Sequence, residues 1–498
     1  MTKQFQTVQS LHPGRSVFNL SYDKKFTCDM GQLIPVMCDE AVPGDYFKIG
    51  NQCVVRFQPL IAPIMHEVTM TVHYFFVPYR ILWEEWEKFI TGGVDGDDDT
   101  PLPVWDVTPI TGNAVGSLWD FLGFPTDIVP DGAEPLDFPR VAYNRIWNEY
   151  YRDETLQDEV AETNEAILLR NWKKDYFTSS LPWQQRGVAP ALPISGISHA
   201  VWPSDSIYLS AGGSSLNVLT GGAGNQLIVG NAQGVTNAKA MFANNTVDLS
   251  AASTFDVSDL RTVVQIQKWM ERNARSGVRY TEFLLSHFGV AARDERLQRP
   301  EYIGGSKSPV IVSEVLQTSS TDAVTPQGNL AGHGISVSDT FCGSYHVKEF
   351  GLIMGIMSVM PKPAYSQGIN RQWLRRTKYD FYFPEFAHLS EQAIEQAEIY
   401  ATGVAADNTK IFGYQGRYDE LRTKDNMICS EMRDTFDYWH IGRKFSSAPV
   451  LNESFIKCVP RKDIFAVPSV PGLIVWFGNI IKAVRPLPIQ SNPGLLDH

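Results

Sequence analysis

VTMTVHYFF, residues 68–76, decides how this chain is read. Val68, Met70, Val72, Tyr74 and Phe76 fall on one side of an extended backbone, and Thr69, Thr71, His73 and Phe75 on the other. Successive side chains of a strand point to opposite faces. Unbroken period-two alternation therefore predicts a strand with one face in an apolar core. CVVRFQPL, from Cys53, predicts a second strand, with Pro43-Gly44 and Gly50-Asn51 as turns. Strand character returns late in the chain, in SPVIVSEVLQ (308–317), EFGLIMGIMSVM (349–360) and TKYDFYF (377–383).

Helical periodicity is confined to the stretches between. RILWEEWEKFI, from Arg80, places Ile81, Leu82, Trp86, Phe89 and Ile90 on one side. Helices are also expected at about 141–150, 153–176 and 257–275. In the last, Asp256 and Ser258 are candidate caps, and Leu260, Val263, Val264, Ile266 and Met270 make the apolar stripe. Many strands, Pro-Gly turns and a few helices inside long connections predict a mainly β protein, not βαβ winding. An eight-stranded sandwich needs roughly 150–200 residues. The remainder of the 498 residues then belongs to very long insertions on one body, 1–498, because no linker divides the chain.

One insertion stands out by composition. Residues 187–255 carry formal charge only at Asp205, Lys239 and Asp248, whereas the chain is 20% charged. Glycine, alanine, serine, asparagine and threonine fill it, interrupted by Ile207, Leu209, Leu216, Val218, Leu227 and Val229. Recurrent apolar residues rule out a plain flexible linker, and the missing charge is unlike a disordered tail. Short strands and tight turns forming a protruding contact surface are expected, with the tip among Gly212, Gly221, Gly222, Gly224, Gly230 and Gly234.

The formal net charge is −12. This argues against nucleic-acid binding mainly through overall charge, but leaves room for a local basic face or a separate basic partner. No run has the length of a membrane span, and MTKQFQTVQSLHPGRS has no apolar signal region. Cys28, Cys38, Cys53, Cys342, Cys429 and Cys458 are dilute and without CxxC, so reduced thiols are expected. DGDDD, Asp95–Asp99, starts like a calcium loop, but Thr100 replaces the turn glycine and Asp106 the bidentate glutamate, leaving a solvated acidic loop. GGAGNQ and GHG lack the setting of a phosphate loop. His66 and His73 read as buried or interface histidines. No catalytic, metal or cofactor constellation is found.

RQWLRRTKYDFYF is the candidate nucleic-acid segment. Arg371, Arg375, Arg376 and Lys378 interleave with Trp373, Tyr379 and Tyr382, so cations could meet phosphates while rings stack on unpaired bases. The competing reading has the aromatics packed in a sandwich and the arginines in subunit salt bridges. Lys3, Arg15, Lys24 and Lys25 form a second basic set.

Long strings of this chain resemble the major capsid proteins of gokushoviruses, small single-stranded DNA phages of the Microviridae. They include SVFNLSYDKKFTCDMGQLIPVMCDEAVPGDYFKI, RIWNEYYRDETL, LRNWKKDYFTSSLPWQQRG, QKWMERNARSGVRYTEFLLSHFGV and RDERLQRPEYIGG. SEVLQTSSTDAVTPQGNLAGHG, RRTKYDFYFPEFAHLSEQA, FGYQGRYDELR and KAVRPLPIQSNPGLLDH continue the match in order. The likeness is weakest across 187–255. It implies an eight-stranded antiparallel viral jelly roll with helix-containing insertions. About sixty copies would close a T=1 icosahedral shell around a circular single-stranded genome. It also implies a virion location, assembly in the host cytoplasm, and the neutral insertion near the threefold axes. Separately from the resemblance, the net charge of −12 leads us to expect a small basic DNA-binding accessory protein to provide much of the neutralisation. The protrusion could contact a host receptor or only clamp a trimer. No membrane partner is implied. The tail, with Pro486, Pro488 and Pro493, should lie extended. A jelly-roll lectin-like binding module is the alternative, and a β-rich hydrolase with an unrecognised carboxylate pair a third.

Overall fold

The computed structural model describes residues 14–490, except for 94–98, 106–113, 129–131, 277–278, 292 and 317–329; within 191–256 only short strand backbones are described. By contacts the chain divides into two units, Gln185–Arg275 and the remainder, Met1–Gln184 with Ser276–His498.

The larger unit is built on one curled sheet. Its strands are β1 (Ser16–Asn19), β2 (Tyr22–Cys28), β3 (Ile34–Ala41), β4 (Tyr46–Phe57), β5 (Val68–Pro78), β6 (Glu301–Leu316), β7 (Leu330–His346), β8 (Gly351–Pro361) and β9 (Leu473–Arg485). The order is β1-β9-β4-β7-β6-β5-β8-β3, with β2 also on β9, and every pairing is antiparallel. Sequence neighbours are mostly not sheet neighbours, so the chain crosses between the two halves. That eight-stranded arrangement, with short β1 added, is consistent with a jelly roll.

β6 makes the curl. Glu301–Val310 pairs with β5, whereas Ile311–Leu316 pairs with β7, so one strand belongs to both halves. The halves enclose one apolar core. Phe47, Ile49 and Val55 of β4 and Val475 and Phe477 of β9 meet Ile34 and Val36 of β3 and Ile353 and Met357 of β8. Val68, Met70, Val72, Tyr74 and Phe76 all point into that core, while Thr71 and His73 do not. The alternation in VTMTVHYFF thus has the expected meaning. Asn51 is buried there, and its amide donates to Ser306 Oγ at 2.9 Å; a polar group in such a place needs this partner.

The other face of the β5–β8–β3 half is covered too. Phe75, Val77, Leu352, Met354 and Ile356 pack under Trp105, Trp119, Tyr143 and Trp147. Those residues come from a helical layer made of α1 (Tyr79–Leu82), α2 (Trp86–Thr91), α3 (Leu118–Leu122) and α4 (Phe138–Ile146), with a π-turn at Trp147–Tyr151 and irregular connections. A third cluster, with Tyr176, Phe177, Tyr365, Ile394, Phe412 and Phe455, gathers parts of two long insertions.

Four local expectations are corrected. Gly50-Asn51 is not a turn: both residues pair inside β4 with strands on either side. RILWEEWEKFI is two short helices, broken where Trp83 is extended (φ −147°). Trp86 then packs on Tyr79 and Phe138, contacts a continuous helix would not bring together in this way. Residues 153–176 form no helix; they run as turns and a clasp along other segments. Leu33 N donates to Leu168 O at 3.0 Å, Arg170 N to Gly31 O at 2.8 Å and Trp172 N to Ile456 O at 2.8 Å. Backbone groups satisfied from outside need no helical partners. TKYDFYF is a 3₁₀ turn at Lys378–Asp380 followed by irregular chain, not a strand. Asp380 accepts from the backbone N–H groups of Arg376 (2.9 Å) and Thr377 (2.7 Å), which fixes a turn.

The smaller unit holds strands Tyr208–Ala211, Ser214–Gly221 and Gln226–Val229, paired in that order, and a pair Ile197–His199 with Thr246–Asp248. Helix α5, Val257–Ser276, follows as expected; it starts after Asp256, which lies outside the described residues. Val263 and Met270 of its stripe are half-buried, and Leu260, Val264 and Ile266 are exposed. Helix α6, Tyr280–Phe288, belongs to the larger unit. Among the described residues no helix is long and apolar enough to cross a membrane.

Candidate functional site

RQWLRRTKYDFYF folds with its arginines paired within the chain and its rings outward. The Asn370 side chain accepts from Gln372 N and starts a 3₁₀ turn, Arg371–Trp373. Arg371 Nη1 donates to Glu398 Oε1 at 2.9 Å and lies 3.9 Å from Glu395. Arg376 grips both oxygens of Glu395, at 3.1 and 2.6 Å. Arg375 sits 3.6 Å from Glu420 and stacks over Phe381. Lys378 rests over the Tyr379 ring, 5.0 Å from its centroid, and makes no ion pair within 4 Å among the described residues.

Glu398 anchors this network. Its side chain is 1% exposed. It accepts from Arg371, from Tyr176 Oη at 3.0 Å and from Glu395 N at 2.8 Å. Burial pushes its carboxyl upward, and the Arg371 charge pulls it back. Nearby, burial and the Asp175 charge push Asp425 up to about 6. A buried carboxylate supplied with this many donors is satisfied, but it has none to spare.

Trp373 is 75% exposed, and Tyr379, Phe381, Tyr382, Phe383 and Leu389 are exposed with it. So many large apolar side chains on one short segment mark a contact surface. Aromatic and arginine content with internally neutralised charge suits a protein partner, because interface cores are aromatic-rich and charge-poor. The competing reading, packed rings and subunit salt bridges, holds only in part. The arginines do make salt bridges, but within the chain, and the aromatics do not pack in the sandwich. Sequence reasoning missed Glu395, Glu398 and Glu420, the partners that hold the arginines. EQAIEQAE, 391–398, with its regularly spaced glutamates, was the available signal.

The other nominated residues are scattered. Lys24 is turned inward, donating to Pro35 O at 3.1 Å and to Phe121 O, so it is no free cation. Lys25 pairs with Asp23, and Arg15 is exposed. Lys3, the acidic loop from Asp95 to Asp98 and Asp106 lie outside the described residues. So do Gly212, Gly222, Gly224, Gly230 and Gly234; Gly221 ends its strand. His66 Nε2 meets Lys362 O at 2.6 Å. The six cysteines are free thiols; burial pushes Cys38, Cys53 and Cys458 up to about 12, where they stay protonated. Among the described residues no group of three histidine, cysteine or acidic side chains could hold a metal ion.

Comparison with known proteins fits a protein-contact surface. Residues 6–495 match the family described as Capsid protein (F protein). The chain belongs to that capsid protein family. It is 34% identical to capsid protein VP1 of Chlamydia phage 1, over 99% of this chain and 98% of the relative. Against capsid protein VP1 of Bdellovibrio phage phiMH2K identity is 34%, over 98% and 97% of the two chains. Against that of Spiroplasma virus 4 it is 31%, over 99% and 97%. The gokushovirus resemblance read from the sequence is borne out over nearly the whole length. This capsid protein is therefore a structural, self-assembling component of a virion and not an enzyme.

Proposed function

We propose that this capsid protein is the major shell subunit of a small phage. About sixty copies close a T=1 icosahedral shell around a circular single-stranded DNA genome. The observation that carries the assembly reading is the row of exposed rings from Trp373 to Phe383 beside arginines already paired within the chain. Such a surface gains by covering apolar area, and its arginines already have their partners. It acts as a subunit contact. Within the segment, genome contact is assigned to Lys378, whose ammonium makes no ion pair within 4 Å among the described residues. Arg371, Arg375 and Arg376 keep the segment in shape.

The whole chain serves as one jelly-roll subunit. Residues 187–255 form its surface insertion, which meets its symmetry mates at a threefold axis and projects from the shell. Host contact by the tip is part of this proposal. The net charge of −12 supports a small basic accessory protein as the main neutraliser of the packaged phosphates. Assembly takes place in the host cytoplasm.

Negative-stain microscopy of the expressed chain, alone and with its phage partners, tests the reading. Uniform closed shells in the megadalton range are expected. Trp373→Ser with Tyr382→Ser should leave the subunit folded by circular dichroism and reduce particle yield severalfold. A folded wild-type chain that stays monomeric at high concentration, with its phage partners present, would overturn the proposal. Small glycan-binding oligomers would move the function to a lectin-like module.

A further inference from the structure

We propose that a groove on the face of β5 turned away from the sandwich core binds nucleotide units of a single-stranded nucleic acid, lysines taking the phosphates and an open tyrosine ring the base. The groove encloses about 790 Å³, within the range of small-ligand sites and roomy enough for one or two nucleotides. Its floor is the side of β5 opposite the sandwich core: Thr69, Thr71, His73 and the buried Phe75. The walls come from β6, the π-turn after α4 and the clasp at 170–174.

Charge is the first reason. Six basic side chains line the groove against two acidic ones, Glu67 and Asp294, in a chain whose formal net charge is −12. Their roles differ. Arg170 is spent on structure, donating to Ser358 Oγ at 2.8 Å and to Thr71 Oγ1. Arg299 is held by Asp294 at 2.7 Å and covers the Tyr150 ring. Lys174 pairs with Asp153, and Lys362 with Glu67 at 3.0 Å. Lys173 and Lys307 are exposed and make no ion pair within 4 Å among the described residues. Two ammonium groups without a close ion pair, whose electrostatic partner is Glu67 at longer range, stand above an already hydrogen-bonded floor and are placed for an anion.

Aromatic surface is the second reason. Tyr302 is 48% exposed, and its ring lies 5.9 Å from His73 and 5.5 Å from Phe75. His73 stacks on Tyr151 at 21° and shares a 2.8 Å hydrogen bond with the Tyr151 hydroxyl. Burial, aided by Arg170, pushes this imidazole down to about 4, so it is neutral at physiological pH. Gly305, opposite His73 on β6, makes the room. A Cβ there would lie 2.5 Å from Val72 O, 2.8 Å from the Tyr302 hydroxyl and 2.9 Å from the His73 ring. Stacking tolerates any base, since every base has a π-face. Neither a glycan nor an acidic peptide needs both features. The interleaved basic and aromatic residues of RNWKK, 170–174, gave the same sequence signal as RQWLRR and went unread.

The inference deepens the proposed function by naming where an enclosed strand touches its subunit, and its test does not depend on the shell. Binding of the full-length chain to a labelled short oligothymidylate is measured by anisotropy across a salt series. Thymidine monophosphate, an abasic strand of equal length and a neutral dextran serve as comparison probes. Lys173→Gln with Lys307→Gln should weaken oligothymidylate binding at least tenfold and lower the salt slope by about 1.4, the contribution of two phosphate contacts on a single strand. Tyr302→Leu should weaken oligothymidylate about tenfold and leave the abasic strand unchanged. Lys410→Gln, remote and exposed, is the control. Thermal melts confirm that each variant is folded. Wild-type binding by the double lysine variant overturns the site. Equal loss for both strands in Tyr302→Leu overturns the base contact, and a thymidine monophosphate affinity matching the oligomer's overturns the strand assignment. Dextran binding abolished by Tyr302→Leu would replace the nucleotide by a glycan. Intact shells with a dead groove would leave the proposed function standing without this inference.

Discussion

Glu398→Ala should be far more damaging than its place in an insertion suggests. The side chain is 1% exposed and accepts three hydrogen bonds, from Arg371, Tyr176 and the Glu395 amide. Removing it leaves the Arg371 guanidinium, whose side chain is only 20% exposed, with Glu395 at 3.9 Å as its one remaining ion-pair partner among the described residues, and leaves the Tyr176 hydroxyl without that acceptor. Breaking a buried pair from one side costs about 3–5 kcal/mol, because the surviving charge stays out of water. Arg376→Ala touches the same network from outside. Its side chain is 56% exposed, so despite the two-pronged grip on Glu395 the loss should be about 0–1 kcal/mol. Equilibrium urea unfolding of unassembled subunits, followed by tryptophan fluorescence, measures both. Glu398→Gln, which keeps the size and one acceptor, should fall between them. The reasoning is refuted if Glu398→Ala and Arg376→Ala lie within about 1 kcal/mol of each other.

The remaining predictions concern packing and pH. Met70→Ala, fully buried in the sandwich core, should cost about 2–5 kcal/mol, whereas Thr69→Ala next to it should cost under about 1 kcal/mol in the same unfolding assay. His73 is held near 4, below its unfolded value of about 6.5. Folding therefore disfavours its proton, and stability should be lost as pH falls from about 6.5 towards 4; His73→Gln should flatten that slope in a pH series of melts. Asp425 is shifted the other way, to about 6. Its contribution is greatest below the unfolded value near 3.8 and is lost as pH rises through about 6, so Asp425→Asn should raise stability at neutral pH and leave it unchanged near pH 3.

The capsid family was legible in the sequence because long strings matched, and the core because alternation is a local property. Each of Val68, Met70, Val72, Tyr74 and Phe76 needs only its own strand to face inward. Composition alone also set apart the neutral stretch 187–255. Elements whose backbone partners lie far away were not legible. The clasp at 153–176 has helical spacing, yet its N–H and C=O groups are satisfied by Gly31, Leu33 and Ile456, so no helix is required. RQWLRRTKYDFYF showed which residues it contained but not where they point. Glutamates 19–45 positions later neutralise its arginines, and those pairs exist only once the insertion between β8 and β9 has folded. The groove on β5 is the same lesson reversed. Its lysines come from 173 and 307 and its rings from 73, 151 and 302, residues that meet only because β5 and β6 pair in register and the clasp crosses them. Periodicity records which way a side chain faces; which charges meet, and which stay free, is a through-space property set by the tertiary structure.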